Sequence, residues 1–237
     1  MKEDANKVAS SLLRAAAACE GLRPSNLLEI TAFAVGTKSA LRFVLSSEDA
    51  DVVSHAAHEA QIRHSRRSIG LQRSQNGWAQ IVPSATSERA QLLVLSSQLD
   101  PEEILTAETS NAAQAGLFLG YPECCVRALP QIDARGPQWP FVFISATGPS
   151  EIVDARLNRF AAEWGGIGLL GELFPCSLSC ENAKHYADQL HASAVALGLV
   201  RLADTAVEHA LMPVSIANDG TVAHGDKGGG RLVTFRW

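Results

Sequence analysis

The segment GLFLGYPECCVRAL, residues 116–129, sets Cys124 and Cys125 side by side directly behind a Gly-Tyr-Pro step. Proline cannot continue a helix but suits the first turn of one, so the step closes one helix and opens the next. One other stretch answers it: LFPCSLSC, residues 173–180, where Cys176 follows Pro175 and Cys180 lies four positions on. Four of the chain's five cysteines thus fall into two proline-led motifs. In this reading Cys124 and Cys125 occupy a first helical turn, while Cys176 and Cys180 bracket another helix start, with Ser177 or Ser179 as its cap. Unpaired amides and the positive end of the helix dipole favour thiolate at such places. Thiolate is the form that binds a metal ion or attacks an electrophile.

The four-cysteine set, Cys124, Cys125, Cys176 and Cys180, points to one shared metal site rather than to four ordinary core residues. Structural zinc usually takes ligand pairs spaced two to four residues apart, which suits Cys176 and Cys180 but not the adjacent pair. Neighbouring side chains diverge and more easily reach two irons of a larger cluster. Four thiolates match the ligand count of a [4Fe–4S] centre. An iron–sulfur cluster is therefore the favoured cofactor and zinc the alternative, the latter in a structural adaptor. A metal-free thiol enzyme is the third reading, with Cys176 as nucleophile and Cys180 as its resolving partner. The zinc deaminase pattern is excluded, because it needs P-C-x-x-C and an upstream H-x-E. Arg127, one turn from Cys124, together with Asn158 and His185, are candidates for supporting the cysteines.

The order LGYPECCVRAL, RLNRF, LFPCSLSC resembles a prokaryotic family of unknown function. Its members share an L-G-[YI]-P-x-C-C segment and a later P-C-S-x-x-C segment. The likeness covers roughly residues 115–190, and the family's frequent histidine two residues before the second Pro-Cys is Leu173 here. The resemblance implies a common cysteine site.

Apolar residues make up 46% of the chain and charged residues 19%, the balance of a globular protein. The net charge of −5, with no basic run beyond RHSRR at 63–67, argues against nucleic acid as a partner. No apolar run is long enough to span a bilayer. VASSLLRAAAACEG near the start has small residues before Cys19, but Glu3, Asp4 and Arg14 spoil it as a secretion signal. It reads as an amphipathic helix with Cys19 packed inside, and the protein as cytoplasmic, where thiols stay reduced. A small-molecule substrate or a redox partner protein is the expected partner, in a biosynthetic or modification pathway.

Outward from the cysteines, LLEITAFAVG (27–36) and ALRFVLS (40–46) read as strands. The stretch from Ser47 to about His64 reads as a helix carrying His55, His58 and His64. Asn76-Gly77 marks a hairpin and AQLLVLSS (90–97) a further strand. DPEEILTAETSNAAQAGLFLG has a helix start at Asp100-Pro101. EIVDARLNRFAAEW and ENAKHYADQLHASAVALG read as helices, QIDARGPQWP as a loop, GGIGLLGELFPC as irregular, and residues 211–237 as short strands joined by turns. GDKGGGR (225–231) lacks the strand–loop–helix setting of a phosphate loop and reads as a hairpin loop. The fold class is α+β: an N-terminal mixed α/β unit over residues 1–98, packed on a helical cysteine-bearing region over 99–237 with a small C-terminal β element. The two parts are separate units or one continuous domain.

Overall fold

A computed structural model describes residues 2–73, 79–82, 88–133, 152–163, 165–216, 222–224 and 231–237. The fold is α+β, as the sequence implies. The N-terminal part carries helices α1 (Lys2–Ala18), α2 (Asn26–Ala34) and α3 (Ser47–Glu59) and strands β1 (Ala40–Leu45), β2 (Arg63–Arg73), β3 (Ala79–Val82) and β4 (Glu88–Ser96). These strands form an antiparallel sheet in the order β1-β4-β2-β3. β2 and β3 pair as the hairpin pattern implies, and the Asn76-Gly77 turn itself lies outside the described residues.

Strand side chains alternate between the two faces of a sheet. On β4, Leu93 and Leu95 enter a core shared with α1 and α3, while Leu92 and Val94 enter another with Ile104, Leu105 and Leu119. Helices cover both faces, which is why β4 reads as an unbroken apolar run. α1 buries Leu12, Ala15 and Ala16 beside a buried Cys19, as its pattern implies.

The second part opens with α4 (Pro101–Ser110), capped by Asp100, and α5 (Ala112–Phe118), capped by Asn111. α6 (Glu123–Asp133) follows the Gly-Tyr-Pro step. After it come β5 (Ile152–Asp154), a 3-10 turn (Ala155–Leu157), the short α7 (Phe160–Glu163), α8 (Glu181–Ala196) and α9 (Val200–Ala210). Strands β6 (Val214–Ile216), β7 (Val222–His224) and β8 (Arg231–Arg236) close the chain. The second sheet runs β5-β8-β6-β7, with β5 parallel to β8 and the other pairs antiparallel.

Several sequence expectations need correction. Residues 27–36 are not a strand but mostly helix α2. Leu28 and Ala32 of α2 enter the core of the second part, and Ile30 and Phe33 enter that of the first. A helix buried on nearly every side shows no polar face, and its short apolar run mimics a strand. α3 is capped by Ser46 rather than Ser47 and stops at Glu59, leaving His64 on β2. Within EIVDARLNRFAAEW, the described residues 152–163 form a strand, a turn and a short helix rather than one helix: Val153 pairs with Phe235 on β8, and Asp154 caps the turn through the Arg156 amide. Gln131, Ile132 and Asp133 extend α6 instead of forming a loop. α9 escaped the sequence reading although Ala203, Ala206 and Ala210 form its buried stripe. The GDKGGGR loop lies outside the described residues up to Gly230. Among the described residues no helix is long and apolar enough to cross a membrane.

Candidate metal centre

α5 ends in a Schellman turn: the Gly120 amide donates to the Leu117 carbonyl and the Tyr121 amide to that of Gly116. Gly120 sits at φ +77°, a conformation that glycine adopts without the Cβ clash of other residues. Pro122 then opens α6, its carbonyl accepting from the amides of Cys125 and Val126. Cys124 and Cys125 are thereby fixed in the first turn of α6.

The second pair is placed by α8. Its cap is Cys180 itself, whose sulfur accepts from the Ala183 amide at 3.4 Å. Neither Ser177 nor Ser179 caps it; their hydroxyls lie 3.3 Å from each other. Cys176 belongs to the irregular turn before the helix.

The four sulfurs converge. Cys124 and Cys125 lie 3.9 Å apart, and each lies 3.7 Å from Cys180, 56 and 55 residues further along the chain. With Cys176 included, all four lie within 4.8 Å of one another. Cys125 and Cys180 are buried, while Cys124 and Cys176 are partly exposed. Cys19 is elsewhere, in the α1 core beside Asp49.

Three N–H groups point at these sulfurs. The Asn182 amide reaches Cys124 at 3.4 Å, the Ala183 amide reaches Cys180, and the Cys176 backbone amide faces Cys125. Such donors offset the charge that several thiolates concentrate in one place, and they orient ligands as outer-shell partners of metal sites do. Burial raises the Cys125 thiol far above its usual value. Burial, followed by its hydrogen bond with Cys180, pushes Cys176 up to about 11. For Cys124 burial also opposes ionisation, but hydrogen bonds from Asn182 and from the other cysteines outweigh it and draw the thiol below its usual value. Without a cation, then, the group resists collecting four charges. A metal ion bound by four thiolates displaces their protons and removes that resistance. The donor set fits a metal ion.

An open cleft of about 510 Å³ lies against Cys124, lined also by Arg127, Asn182, His185, Tyr186 and Gln189. Arg127 pairs with Glu123, and His185 is within 3.1 Å of Gln189, so both flank the cysteines without bonding a sulfur. Asn158 serves elsewhere, its amide donating to the carbonyls of Ala210 and Met212 and accepting from the Phe160 amide. It braces the chain around α7 and α9. His55 and His58 are exposed on α3, and His55 faces Glu59.

Sequence reasoning missed Asn182 and a buried polar network behind the cleft. Glu29 of α2 accepts from the hydroxyls of Tyr186, at 2.9 Å, and Tyr121, at 3.4 Å. Lys38 lies 3.4 Å from the same carboxylate and donates to Tyr186 and to the Leu119 carbonyl. The Tyr121 ring stands edge-on to Tyr186 and under the Lys38 ammonium. Burial, reinforced by Glu29, raises both tyrosines well above their usual range, so they remain hydroxyl donors. A buried Glu or Lys in an otherwise apolar helix or turn is the one signal the sequence offered. Comparison with known proteins finds no matching family model, no matching curated protein and no matching solved structure.

Proposed function

We propose that this chain is a metalloprotein in which Cys124, Cys125, Cys176 and Cys180 hold a single tetrahedrally coordinated ion, zinc, that ties the start of α6 to the start of α8. The observation that carries the reading is the spacing of the sulfurs. A zinc–sulfur bond of about 2.3 Å gives a tetrahedron with an edge of about 3.8 Å. The three separations of 3.7, 3.7 and 3.9 Å match that edge. A cubane cluster interposes an iron–sulfide core between its thiolates and needs them spread well beyond it. The adjacent pair, expected to diverge, meets the requirement of one ion because both sulfurs turn to the same side of the α6 start.

The fifth cysteine does not enter the site, and the thiol-enzyme reading with Cys176 as nucleophile has little support. Cys176 stands before the helix rather than at its first amides, and its thiol is raised rather than lowered. The open cleft beside Cys124 favours a small molecule as the partner over a redox protein. A cytoplasmic setting, where thiols stay reduced, agrees with this ligand set.

Protein purified without oxygen and analysed for metal and labile sulfide decides the matter. One equivalent of zinc, colourless protein and a tetrahedral visible spectrum on cobalt exchange are the expected results. Brown protein with iron and sulfide overturns the single-ion reading in favour of the cluster. Iron without sulfide keeps the geometry and changes the ion.

A further inference from the structure

The three stretches that carry the four cysteines all meet one block of the N-terminal part. That block is α2 with the turn at its end, where the Thr37 and Lys38 amides both donate to the Ala32 carbonyl. Glu29 lies on the helix and Lys38 in the turn, both side chains buried and their charged atoms 3.4 Å apart.

Each stretch reaches this block by a close contact. The Lys38 ammonium donates to the Leu119 carbonyl at the C-terminal end of α5, where a cation suits the unpaired carbonyls. The Tyr121 hydroxyl, three residues before Cys124, donates to Glu29. The Tyr186 hydroxyl, six residues past Cys180, donates to Glu29 at 2.9 Å and accepts from Lys38 at 3.1 Å. Ahead of Cys176, the Gly171 backbone comes so near that a Cβ there would stand 2.6 Å from the Glu29 side chain. Its neighbour Glu172 accepts from the Ser25 hydroxyl at the start of α2, at 3.0 Å.

A buried ion pair adds little to stability over apolar side chains of like volume. Hydrogen bonds, however, are directional, and they fix how helices slide and turn against one another. Four sulfurs sharing one ion need such fixing, because metal–ligand distances hold to within about 0.2 Å. We propose that the buried Glu29–Lys38 pair positions the sulfur tetrad, setting through Tyr121, Tyr186 and the Leu119 carbonyl the spacing between the α6 start and the α8 start. The use of that spacing rests on the metal reading above; the spacing itself does not. Tyr186 is the sensitive link, since its hydroxyl ties α8 to both members of the pair.

The test compares the whole chain with Tyr186→Phe, with the double variant Lys38→Met and Glu29→Gln, and with Leu93→Ala, which opens the core beneath α1 and α3. Zinc affinity is read by competition with a chromophoric chelator on protein verified as folded, and site geometry by the visible bands of the cobalt form. Tyr186→Phe and the double variant are expected to bind zinc about tenfold more weakly, as when a metal site loses an outer-shell partner, and to shift the cobalt bands. Leu93→Ala is expected to keep both readings although it unfolds more readily. A Tyr186→Phe chain that binds zinc and cobalt like the parent overturns the inference. So does an affinity that falls as far in Leu93→Ala as in Tyr186→Phe, and both results leave the metal reading standing. A parent that binds no zinc overturns the metal reading instead. Dibromobimane, a short bridge between neighbouring thiols, then decides the inference in the metal-free chains. A cross-link from Cys180 to Cys124 or Cys125 that forms in the parent and is lost in Tyr186→Phe upholds it, and one equal in both or missing from both overturns it.

Discussion

Replacing Lys38 by Met tests whether the buried network joining α2 to α8 is held by charge. The Lys38 and Glu29 side chains are 3% and 2% exposed, and their charged atoms lie 3.4 Å apart. Burial draws the Lys38 ammonium below its usual value, and the facing Glu29 carboxylate opposes that. Methionine fills most of the volume but leaves Glu29 with only the two tyrosine hydroxyls and leaves the Leu119 carbonyl without its ammonium donor. Breaking a buried pair in this way costs about 3–5 kcal/mol. In a chain of this size each kcal/mol moves the melting temperature by about 2–4 °C, so a loss of about 6–20 °C is expected. The assay is thermal and urea unfolding of the parent, Lys38→Met, Glu29→Gln and the double variant. Because Glu29→Gln removes the charge that the first change strands, the double variant should fall short of the sum by about 1–3 kcal/mol. A single-variant loss below about 1 kcal/mol, or strict additivity, would refute the reasoning.

Cys125→Ser should abolish the proposed metal binding and open the turn at 165–175, before α8, to proteolysis, whereas Cys19→Ser should keep both metal and the resistance of that turn. Metal analysis and limited digestion of the two variants check this. Gly171→Ala should destabilise by about 2–4 kcal/mol in urea unfolding, since the residue sits at φ +54° and a Cβ there would stand 2.6 Å from the Glu29 side chain. Glu172 is held below its ordinary value of 4.5: burial opposes this, but Arg159, Arg42 and Arg23 and the Ser25 hydroxyl outweigh it. Its folded value being depressed, its contribution is complete above the ordinary carboxylate range and is lost as pH falls through the lowered value. The Glu172→Gln variant should therefore be less stable at neutral pH and should show a shallower acid limb in a series of urea titrations.

What the sequence disclosed followed from chemistry that is local. Gly120, Tyr121 and Pro122 announce a stop and a restart within three residues, and cysteines are rare enough that four in two motifs stand out. The hidden parts depend on contacts from far along the chain. α2 reads as a strand because its environment is two cores at once, and β5 stays hidden because its partner, β8, is supplied by the C-terminal end. Glu29, Lys38, Tyr121 and Tyr186 come from four separate places, and no spacing rule connects them. The direction in which Cys124 and Cys125 turn was also hidden, since adjacent residues on a helix diverge in general and only the packed turn brings their sulfurs to 3.9 Å.

Cys180 acts as the cap of α8 and also as a member of the sulfur tetrad. The cap is a contact between residues three apart and forms as soon as that stretch of chain becomes helical. α8 can thus present one sulfur in its final orientation before any metal arrives. On the proposed metal reading, the part left for an ion is the long-range step, drawing the α6 start toward a helix end that is already set. That order of assembly would keep the helix from depending on metal supply. Serine is itself a good cap, so a Cys180→Ser chain would retain α8 and its place in the core while losing only the clasp.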